Sequence, residues 1–406
     1  MAGITGLSTT FGLPNYVGEL FAVTPTDTPF LSAIGGLTGG EQVNASLFQW
    51  QGYDLRDASA TRQRLEGADA PTAEARVRFN VNNVVEIHQE KVSTSYTKMA
   101  ATGQYASTGS SHTGAVGLAG MNPVMDEHAW QVQRHLEQIA RDVERSFIVG
   151  TFNNPSTNAT ARRTRGIQEA TATNVDDNTP AAVGTATIAT NGNFTLTSHG
   201  LSVGDAVTLT ALTTGAVDVV FVNTLYYVKT AADANTFTLA TKPGGTLITF
   251  AGTGGATVHE PVALTEAMVL DQLQDVWEAG GIQVSETATI MAAGTLKRSL
   301  SKIFITDKNY QEQTRNVGGV NLQTFETDFG RLNIMLNRYM PTAALQIVSL
   351  EECAPVFMNI PGKGFLFEEQ LARTGAAENS QIYGEIGLKY GNEKAHGKIL
   401  GVKAAA

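Results

Sequence analysis

The longest apolar pattern in the chain lies in residues 122–150, where hydrophobic side chains recur at alternating spacings of four and three. This spacing places them on one side of an α-helix. The stripe consists of Met125, Ala129, Val132, Leu136, Ile139, Val143 and Phe147. Pro123 suits a first helical turn and Gly150 ends the run, so the sequence predicts one helix about 40 Å long. On its solvent side we expect an i,i+4 ion pair between Glu137 and Arg141.

A two-residue alternation of apolar and polar side chains marks residues 46–55 and 76–87 as strands of one long hairpin. The tip between them is polar and carries the charged residues Arg62, Arg64, Glu66 and Asp69. An isolated hairpin is only marginally stable in water, so we expect this one to lean on a neighbouring surface or to stay mobile. The tip charges fit either a solvated loop or ion pairs between subunits.

Residues 1–40 mix Gly, Pro and Thr with scattered large apolar side chains, among them Phe21 and Phe30. The segment has too little periodicity to form a core of its own and is typical of an extended arm. We expect its aromatic side chains to dock either on another copy of the chain or on their own subunit.

The composition changes near residue 173. From there to residue 260 the chain is rich in Thr, Ala, Val and Gly, contains no Arg, and repeats short β-type runs bounded by Gly, Asn, Asp or Pro. This pattern predicts a small antiparallel barrel or sandwich inserted into the chain. The insert is either an accessory module or a glycan-binding one.

Helical and strand signals alternate in the rest of the chain. Residues 264–280 predict a helix, residues 324–341 and 345–350 predict strands, and strand-like runs continue from residue 355 to residue 402. Helices mixed with strands point to an α+β domain, with the last strands returning to cover the long helix.

The net charge of -10, with 16% charged residues, argues against a protein that grips nucleic acid through its phosphates. Arg162 and Arg163 lie in a polar loop, where a phosphate site, a solvated surface and a subunit contact are all open; the acidic chain favours the last two. The single Cys353 excludes an intramolecular disulfide and suits a reducing cytoplasm. No signal peptide or membrane-spanning run is evident.

Enzyme motifs are absent from the sequence. It contains no G-x-S-x-G, H-E-x-x-H, Walker A or G-x-G-x-x-G pattern. His128 and His135 are seven residues apart on the predicted helix, and exposed helix positions explain them better than a metal site. We therefore predict no catalytic residues, no cofactor and no metal.

Five strings occur in this order along the chain: NYVGELFAVTPTDTPFLSAIGG, SLFQWQGYDL, RHLEQIARDVERSFIVG, TFETDFGRLNIMLNRYMP and FEEQLARTGAAENSQIYGEIGLKYGNEKAHGKILG. Together they resemble one branch of the tailed-phage major capsid proteins of the Hong Kong 97 type. The resemblance implies an α+β fold divided into an N-arm (1–40), an extended loop (41–99), a link with the spine helix of a peripheral domain and the start of an axial domain (100–172), an inserted β domain (173–260), the axial domain (261–354) and returning peripheral strands (355–406).

The resemblance also implies a function. Copies would assemble through hexamers and pentamers into an icosahedral shell that encloses double-stranded DNA without sequence-specific binding, built in the host bacterial cytoplasm. Portal and scaffolding proteins are the implied partners, and a decoration protein is left open; no membrane is involved. The alternatives are an encapsulin-like shell around cargo and a phage tail or surface protein that binds through the β insert.

Overall fold

The alternation of helical and strand signals corresponds to a mixed fold in a computed structural model, which describes residues 23–56, 58–100, 127–213, 219–284, 288–303, 313–317, 320–373 and 375–404. The helices are α1 (Pro29–Ile34), α2 (Tyr96–Ala100), α3 (Glu127–Val149), α4 (Ile167–Ala170), α5 (Glu266–Glu278) and α6 (Gly294–Ser301). They account for a minority of the described chain, so strands dominate the architecture.

The strands before the insert's end are β1 (Glu41–Val43), β2 (Leu47–Tyr53), β3 (Arg78–Val84), β4 (Glu86–Ser95), β5 (Val175–Asp177), β6 (Gly184–Ile188), β7 (Asn193–Thr195), β8 (Ala206–Thr210), β9 (Tyr226–Asp233), β10 (Thr236–Ala240) and β11 (Gly254–His259). Those that follow are β12 (Val262–Ala263), β13 (Ala288–Ala292), β14 (Gln313–Val317), β15 (Val320–Thr327), β16 (Gly330–Leu336), β17 (Leu345–Ser349), β18 (Ala354–Met358), β19 (Leu366–Gln370), β20 (Ala377–Lys389), β21 (Gly397–Leu400) and β22 (Val402–Lys403).

The chain divides into two units. Among the described residues, the first contains 23–27, 87–100, 127–142, 360–373 and 375–384, and the second contains the others. In the first unit β19 pairs antiparallel with β20 from Leu366–Gly384 to Gln370–Ser380, and β4 also pairs with β20. Helix α3 begins in this unit. The predicted start of that helix at residues 122–126 lies outside the described residues.

A seven-stranded mixed sheet is the largest sheet of the second unit, with strand order β14-β15-β16-β13-β17-β21-β5. Helix α5 lays Val269, Leu273 and Val276 on this sheet, and α6 adds Leu296 and Leu300 to the same core. The Thr265 hydroxyl accepts the Met268 N–H and so caps α5, while Gly280, with a positive φ of 90°, follows its end. The sequence-predicted α+β domain corresponds to this sheet and its helices.

The β runs of the insert form a closed barrel in the order β10-β7-β6-β11-β8-β9. Along β6, buried Ala186 and Ile188 alternate with exposed Thr185 and Thr187, the period-two pattern of a half-buried strand. Phe194 stacks on Phe237 inside, with ring centroids 5.2 Å apart. Burying each such ring contributes about 2 kcal/mol relative to leaving it exposed. The barrel therefore has its own core and no free strand edges.

The predicted start of the insert at residue 173 is too early. Strand β5 pairs in parallel with β21 and is the edge strand of the seven-stranded sheet, so residues 175–177 belong to that sheet. The first barrel strand begins at Gly184. Composition changes at residue 173, but a three-residue edge strand is too short to show a hydrophobic period of its own.

Cys353 lies at the end of a 3-10 turn before β18 and is almost completely buried. Burial raises the pKa of its thiol far above the ordinary value, and the neighbouring Glu352 and Glu351 carboxylates raise it further. The side chain is therefore a small packed group with little thiolate character.

Candidate inter-subunit surfaces

The base of the β2–β3 hairpin is fixed by one buried amide, Asn83. Its Nδ2 donates to the carbonyl oxygens of Leu388 (2.7 Å) and Arg165 (3.1 Å), and its Oδ1 accepts the backbone N–H of Arg165 (2.8 Å) and of Val84 (2.9 Å). The side chain has no exposed surface. All four hydrogen-bonding positions of the amide are thus used, which holds β3 and the loop around Arg165 in one arrangement.

Aromatic side chains brace the same end of the hairpin. The indole N–H of Trp50 donates to the Gly391 carbonyl at 2.8 Å, and its ring lies edge-on to Tyr390 with centroids 4.9 Å apart. The Arg165 guanidinium donates to the Tyr390 hydroxyl at 3.0 Å and lies over the Phe152 ring at 4.5 Å. Ring packing and charge-assisted bonding make this base rigid.

The distal half of the hairpin, in contrast, exposes large apolar side chains. Leu65 is 86% exposed, and even Phe79, inside strand β3, is 49% exposed. The group as a whole consists of Tyr53, Leu55, Leu65, Val77 and Phe79. Scattered apolar residues on a surface are ordinary, but five on one hairpin are a candidate contact for a partner; because Tyr53 pairs with Arg78 and Phe79 with Gly52, they lie on both of its faces.

The charges at the hairpin tip are partly satisfied within the tip. Glu74 pairs with Arg62 and, at 3.0 Å, with Arg76; the hydrogen bond from Arg62, followed by that from Arg76, lowers the pKa of the Glu74 carboxyl. Arg64, Glu66 and Asp69 are exposed and form no ion pair with another described residue. The predicted role of these charges between subunits stays a prediction, with Arg62 already engaged inside its own loop.

Phe30 was predicted to contact another copy or its own subunit, and the structure places it in the core of its own subunit, with no exposed surface. It belongs to helix α1, whose first N–H groups are accepted by a buried carboxylate: Glu144 binds the N–H of Phe30 at 3.0 Å and of Leu31 at 2.6 Å. The Asn337 amide also donates to Glu144, at 2.5 Å. Phe30 as an inter-subunit contact is therefore wrong. Phe21 lies outside the described residues.

The predicted Glu137–Arg141 pair on α3 does not form. Glu137 pairs with Arg134 one turn earlier, at 2.9 Å, and Arg141 donates to the Gln138 side chain at 3.0 Å. On a helix both i,i+3 and i,i+4 neighbours are within reach, and Arg134 takes the carboxylate here. The role of Glu137 and Arg141 between subunits stays a prediction.

The two histidines of α3 are not simply exposed, as the sequence indicated, because both face partners of the first unit. His128 contacts the hydroxyls of Thr94 (3.2 Å) and Ser380 (3.1 Å) and lies 3.7 Å from Glu368, while His135 lies 3.5 Å from Glu90. Within the described residues, no group of three or more His, Cys, Asp or Glu side chains could hold a metal ion.

The arginine loop after α3 is built into the second unit. Arg162 forms an ion pair with Glu385 at 2.9 Å, and the backbone of Arg163 exchanges two 3.0 Å hydrogen bonds with Asn153. Of the two arginines, only Arg163 is exposed. The half-buried Arg162 is thus engaged by its own chain, and a subunit contact through Arg163 stays a prediction.

An open depression of about 560 Å³ lies on the outside of the barrel. Its lining consists of Thr187, Ile188, Ala189, Thr195, Thr213, Thr253 and Gly254. These side chains offer hydroxyls and small apolar groups. Separately, none of the described helices is long and apolar enough to cross a membrane.

Sequence reasoning missed Asn83 and Glu144, the two residues that fix the hairpin base and helix α1. Their partners lie far away in the sequence, up to 305 residues for Asn83 and up to 193 for Glu144. The one available signal was the pair Asn82-Asn83 inside a strand pattern, where polar side chains occupy consecutive positions.

Comparisons with known proteins agree with this architecture. The major capsid protein of Escherichia phage Phieco32 is 23% identical over 397 residues, which covers 95% of this chain and 93% of the relative. The capsid asymmetric unit of cyanophage A-1(L) aligns over 99% of both chains with 11% identity and a TM-score of 0.52. The SrpI encapsulin complex from Synechococcus elongatus PCC 7942 aligns over 97% of this chain and 93% of its own, with 9% identity and a TM-score of 0.49.

The long helix, the hairpin and the mixed sheets correspond to the Hong Kong 97-type fold. The family model described as SU10 major capsid protein matches residues 3–403, so the chain belongs to that family. It is a major capsid protein of a tailed phage, a structural subunit of an icosahedral virion shell. The family decides against the encapsulin-like and tail-binding alternatives.

Proposed function

We propose that copies of this chain assemble through hexamers and pentamers into a closed shell around double-stranded DNA. Residues 1–40 serve as the arm and 41–99 as the loop that reaches a neighbouring subunit. The spine helix and residues 355–406 form the peripheral domain, residues 261–354 form the axial domain, and the barrel is an outward-facing insertion.

The hairpin is the observation that carries this proposal. Its base is held by Asn83 and Trp50, while its distal half exposes five large apolar side chains that a single copy leaves uncovered. A rigid base with an uncovered apolar end is what a subunit needs to contact the next one. Each contact can be modest, because a closed shell multiplies it over many copies.

The charge of the chain supports a container that does not grip its genome. The formal net charge is -10, and no more than two basic residues are consecutive anywhere in the sequence. Weak attraction to phosphates leaves the packaged DNA free to exit. The proposal includes portal and scaffolding proteins as partners and assembly in the host bacterial cytoplasm, and it includes no catalytic step, cofactor or metal.

Electron microscopy and sedimentation of the expressed full-length chain test the proposal. Closed particles of uniform size are expected. A compact monomer that stays unassociated at high concentration would contradict the proposed self-assembly. Particles from infected cells that contain protein cargo and no nucleic acid would overturn enclosure of DNA.

A further inference from the structure

Helix α5 presents an acidic face that is flanked by an exposed aromatic side chain. Its sequence, Glu266–Glu278, contains no Lys, Arg or His, and the side chains of Asp271, Asp275 and Glu278 are exposed on the side opposite the core. Neither Asp271 nor Asp275 forms an ion pair with another residue that the structure describes. These charges face solvent without compensation from described neighbours.

Trp277 is exposed at the flank of this face, because it lies two residues after Asp275 and residues i and i+2 do not share a helix face. It is 55% exposed, although its ring lies 6.4 Å from the Phe329 ring in the turn between β15 and β16. A half-exposed indole beside a second aromatic ring is the composition of an interface centre, where Trp is among the residues that contribute most to binding.

Helix α6 has the opposite charge. Residues 293–303 contain no acidic side chain, whereas Lys297, Arg298 and Lys302 lie within two turns and Arg298 and Lys302 are exposed. Lys297 donates to the Ser301 hydroxyl at 3.2 Å, and Arg298 forms no ion pair with another described residue. Leu296 and Leu300 anchor this helix in the core, so its basic face is held outward.

The two helices pack on different strands of one sheet. Helix α5 contacts β21 and β5, and α6 contacts β13 and β16, with β17 between these two pairs of strands. Each subunit therefore displays an acidic patch and a basic patch at two separate places. Two different, mutually complementary patches on one chain are what a head-to-tail ring contact requires, whereas a two-fold contact would use one self-complementary patch.

We propose that the acidic α5 face of one copy, flanked by Trp277, binds the basic α6 face of the next copy around a ring. This rests on the proposed self-assembly and names the surfaces that form one of its contacts. Exposed ion pairs are individually weak, so burial of Trp277 supplies affinity while the charges set the register and reject the reversed arrangement.

Charge reversal tests the contact. One variant carries Asp271→Lys and Asp275→Lys, and the second carries Lys297→Glu and Arg298→Glu. Each alone places like charges opposite each other, so particle yield should fall by at least about tenfold. Co-expression of the two variants should restore hexamers, because each variant then meets the complementary patch of the other. Charges alternate in such mixtures, so a five-membered ring keeps one unfavourable contact, and rings with even numbers of subunits should predominate.

Recovery in trans separates contacts between copies from contacts within one copy. In the alternative case, α5 and α6 only compensate each other within one subunit. Placing all four substitutions on one chain would then restore assembly, whereas mixing the two variants would not. Failure of the mixture would overturn the proposal. Trp277→Ala removes the contact with Phe329 and should lower the thermal stability of the free subunit slightly, but it should lower particle yield by at least about tenfold. Control reversals in the barrel, Lys242→Glu and Glu260→Lys, should leave yield unchanged.

Further outcomes are informative in different ways. Absence of particles from the unaltered chain contradicts the proposed self-assembly itself. Normal particles from both reversed variants contradict only the α5–α6 contact. The α5 variant could also form normal particles while it no longer binds a separate basic partner protein. This result would contradict the α5–α6 contact as well, because the acidic face would then bind that partner.

Discussion

A single buried amide controls the geometry of the projecting hairpin. Replacing Asn83 by Ala leaves the Arg165 N–H and the Leu388 carbonyl buried without their partner. An unsatisfied buried polar group costs about 1–3 kcal/mol, so we expect the free energy of unfolding to fall by about 2–4 kcal/mol. Equilibrium urea unfolding measures this. Asn82→Ala on the neighbouring residue is the matched control and should cost less than about 0.5 kcal/mol; equal losses for both variants would contradict the assigned role.

His396 makes the stability of the subunit depend on pH. The ring is fully buried; its Nε2 donates to the Tyr390 carbonyl at 2.9 Å and its Nδ1 accepts the Ser349 N–H at 3.3 Å, an arrangement that only the neutral ring satisfies. Burial lowers the pKa of His396 from its ordinary value of 6.5. The unfolded chain therefore takes up the proton first as pH falls.

The free energy of unfolding should fall as the pH falls, because the unfolded chain binds the proton before the folded one does. Stability contributed by neutral His396 is complete above pH 6.5 and is lost as pH drops from 6.5 towards the lower folded-state pKa, by up to about 1.4 kcal/mol per pH unit. Urea midpoints between pH 7.5 and pH 5 measure the slope. In His396→Gln this part of the slope should disappear, whereas the control His88→Gln should keep it. An unchanged slope in the His396 variant would refute the assignment.

Substitutions of exposed side chains in the hairpin should impair assembly and leave the stability of the subunit unchanged. Leu65→Ser and Val77→Ser together remove two of its exposed apolar side chains. Because neither is packed in the single subunit, the free energy of unfolding should change by less than about 0.5 kcal/mol, while assembly into particles should be lost. Gln63→Ser in the same tip is the control. Particle yield by sedimentation and stability by urea unfolding give the two readouts, and particles of normal yield would count against the hairpin contact.

Local spacing predicted the elements but not what covers them. The apolar stripe of α3 predicted the helix, yet among its described members only Ile139, Val143 and Phe147 are buried, and Ala129 is exposed. The alternation that ends in Val81 predicted β3, yet Phe79 in the same strand is exposed. Periodicity reports which side chains share a face, whereas burial depends on packing partners that are distant in sequence.

Short elements escaped sequence reasoning for a different reason. Helix α1 is only six residues long, which is less than two turns, so no period could reveal it. Its ends were nevertheless marked, since Pro29 occupies the first helical position and Gly35, with a positive φ of 131°, follows the last. The carboxylate that binds its N-terminus, Glu144, could not be inferred because it lies more than 100 residues later.

The domain arrangement predicts that the barrel is dispensable for folding and assembly. Removing residues 181–260 and joining Pro180 to Pro261 with a short Gly-Ser link should leave particle formation intact, because the barrel has its own core and strand β5 is retained. Its two ends are adjacent: the Pro180 carbonyl accepts a hydrogen bond from His259 at 2.9 Å. Electron microscopy is the readout. Folded subunits without particles would show that the barrel is part of the lattice.

A second, longer deletion tests where the inserted barrel begins. Removing residues 173–260 also deletes β5 and Asn174, whose carbonyl accepts the Gln272 amide at 3.1 Å and whose side chain donates to the carbonyls of Lys394 and His396. This longer deletion should destabilise the seven-stranded sheet. The two deletion variants together separate loss of an accessory module from damage to the core, and equal stability of both would contradict the boundary at Gly184.

The buried state of Cys353 makes this subunit convenient for site-directed chemistry. Its thiol is the one sulfhydryl in the sequence, and it is shielded and protonated at neutral pH. If a cysteine is introduced at an exposed barrel position such as Thr187, maleimides should therefore label that residue and not the native Cys353. Every subunit in a particle would then carry one dye, drug or antigen at a defined and repeating position.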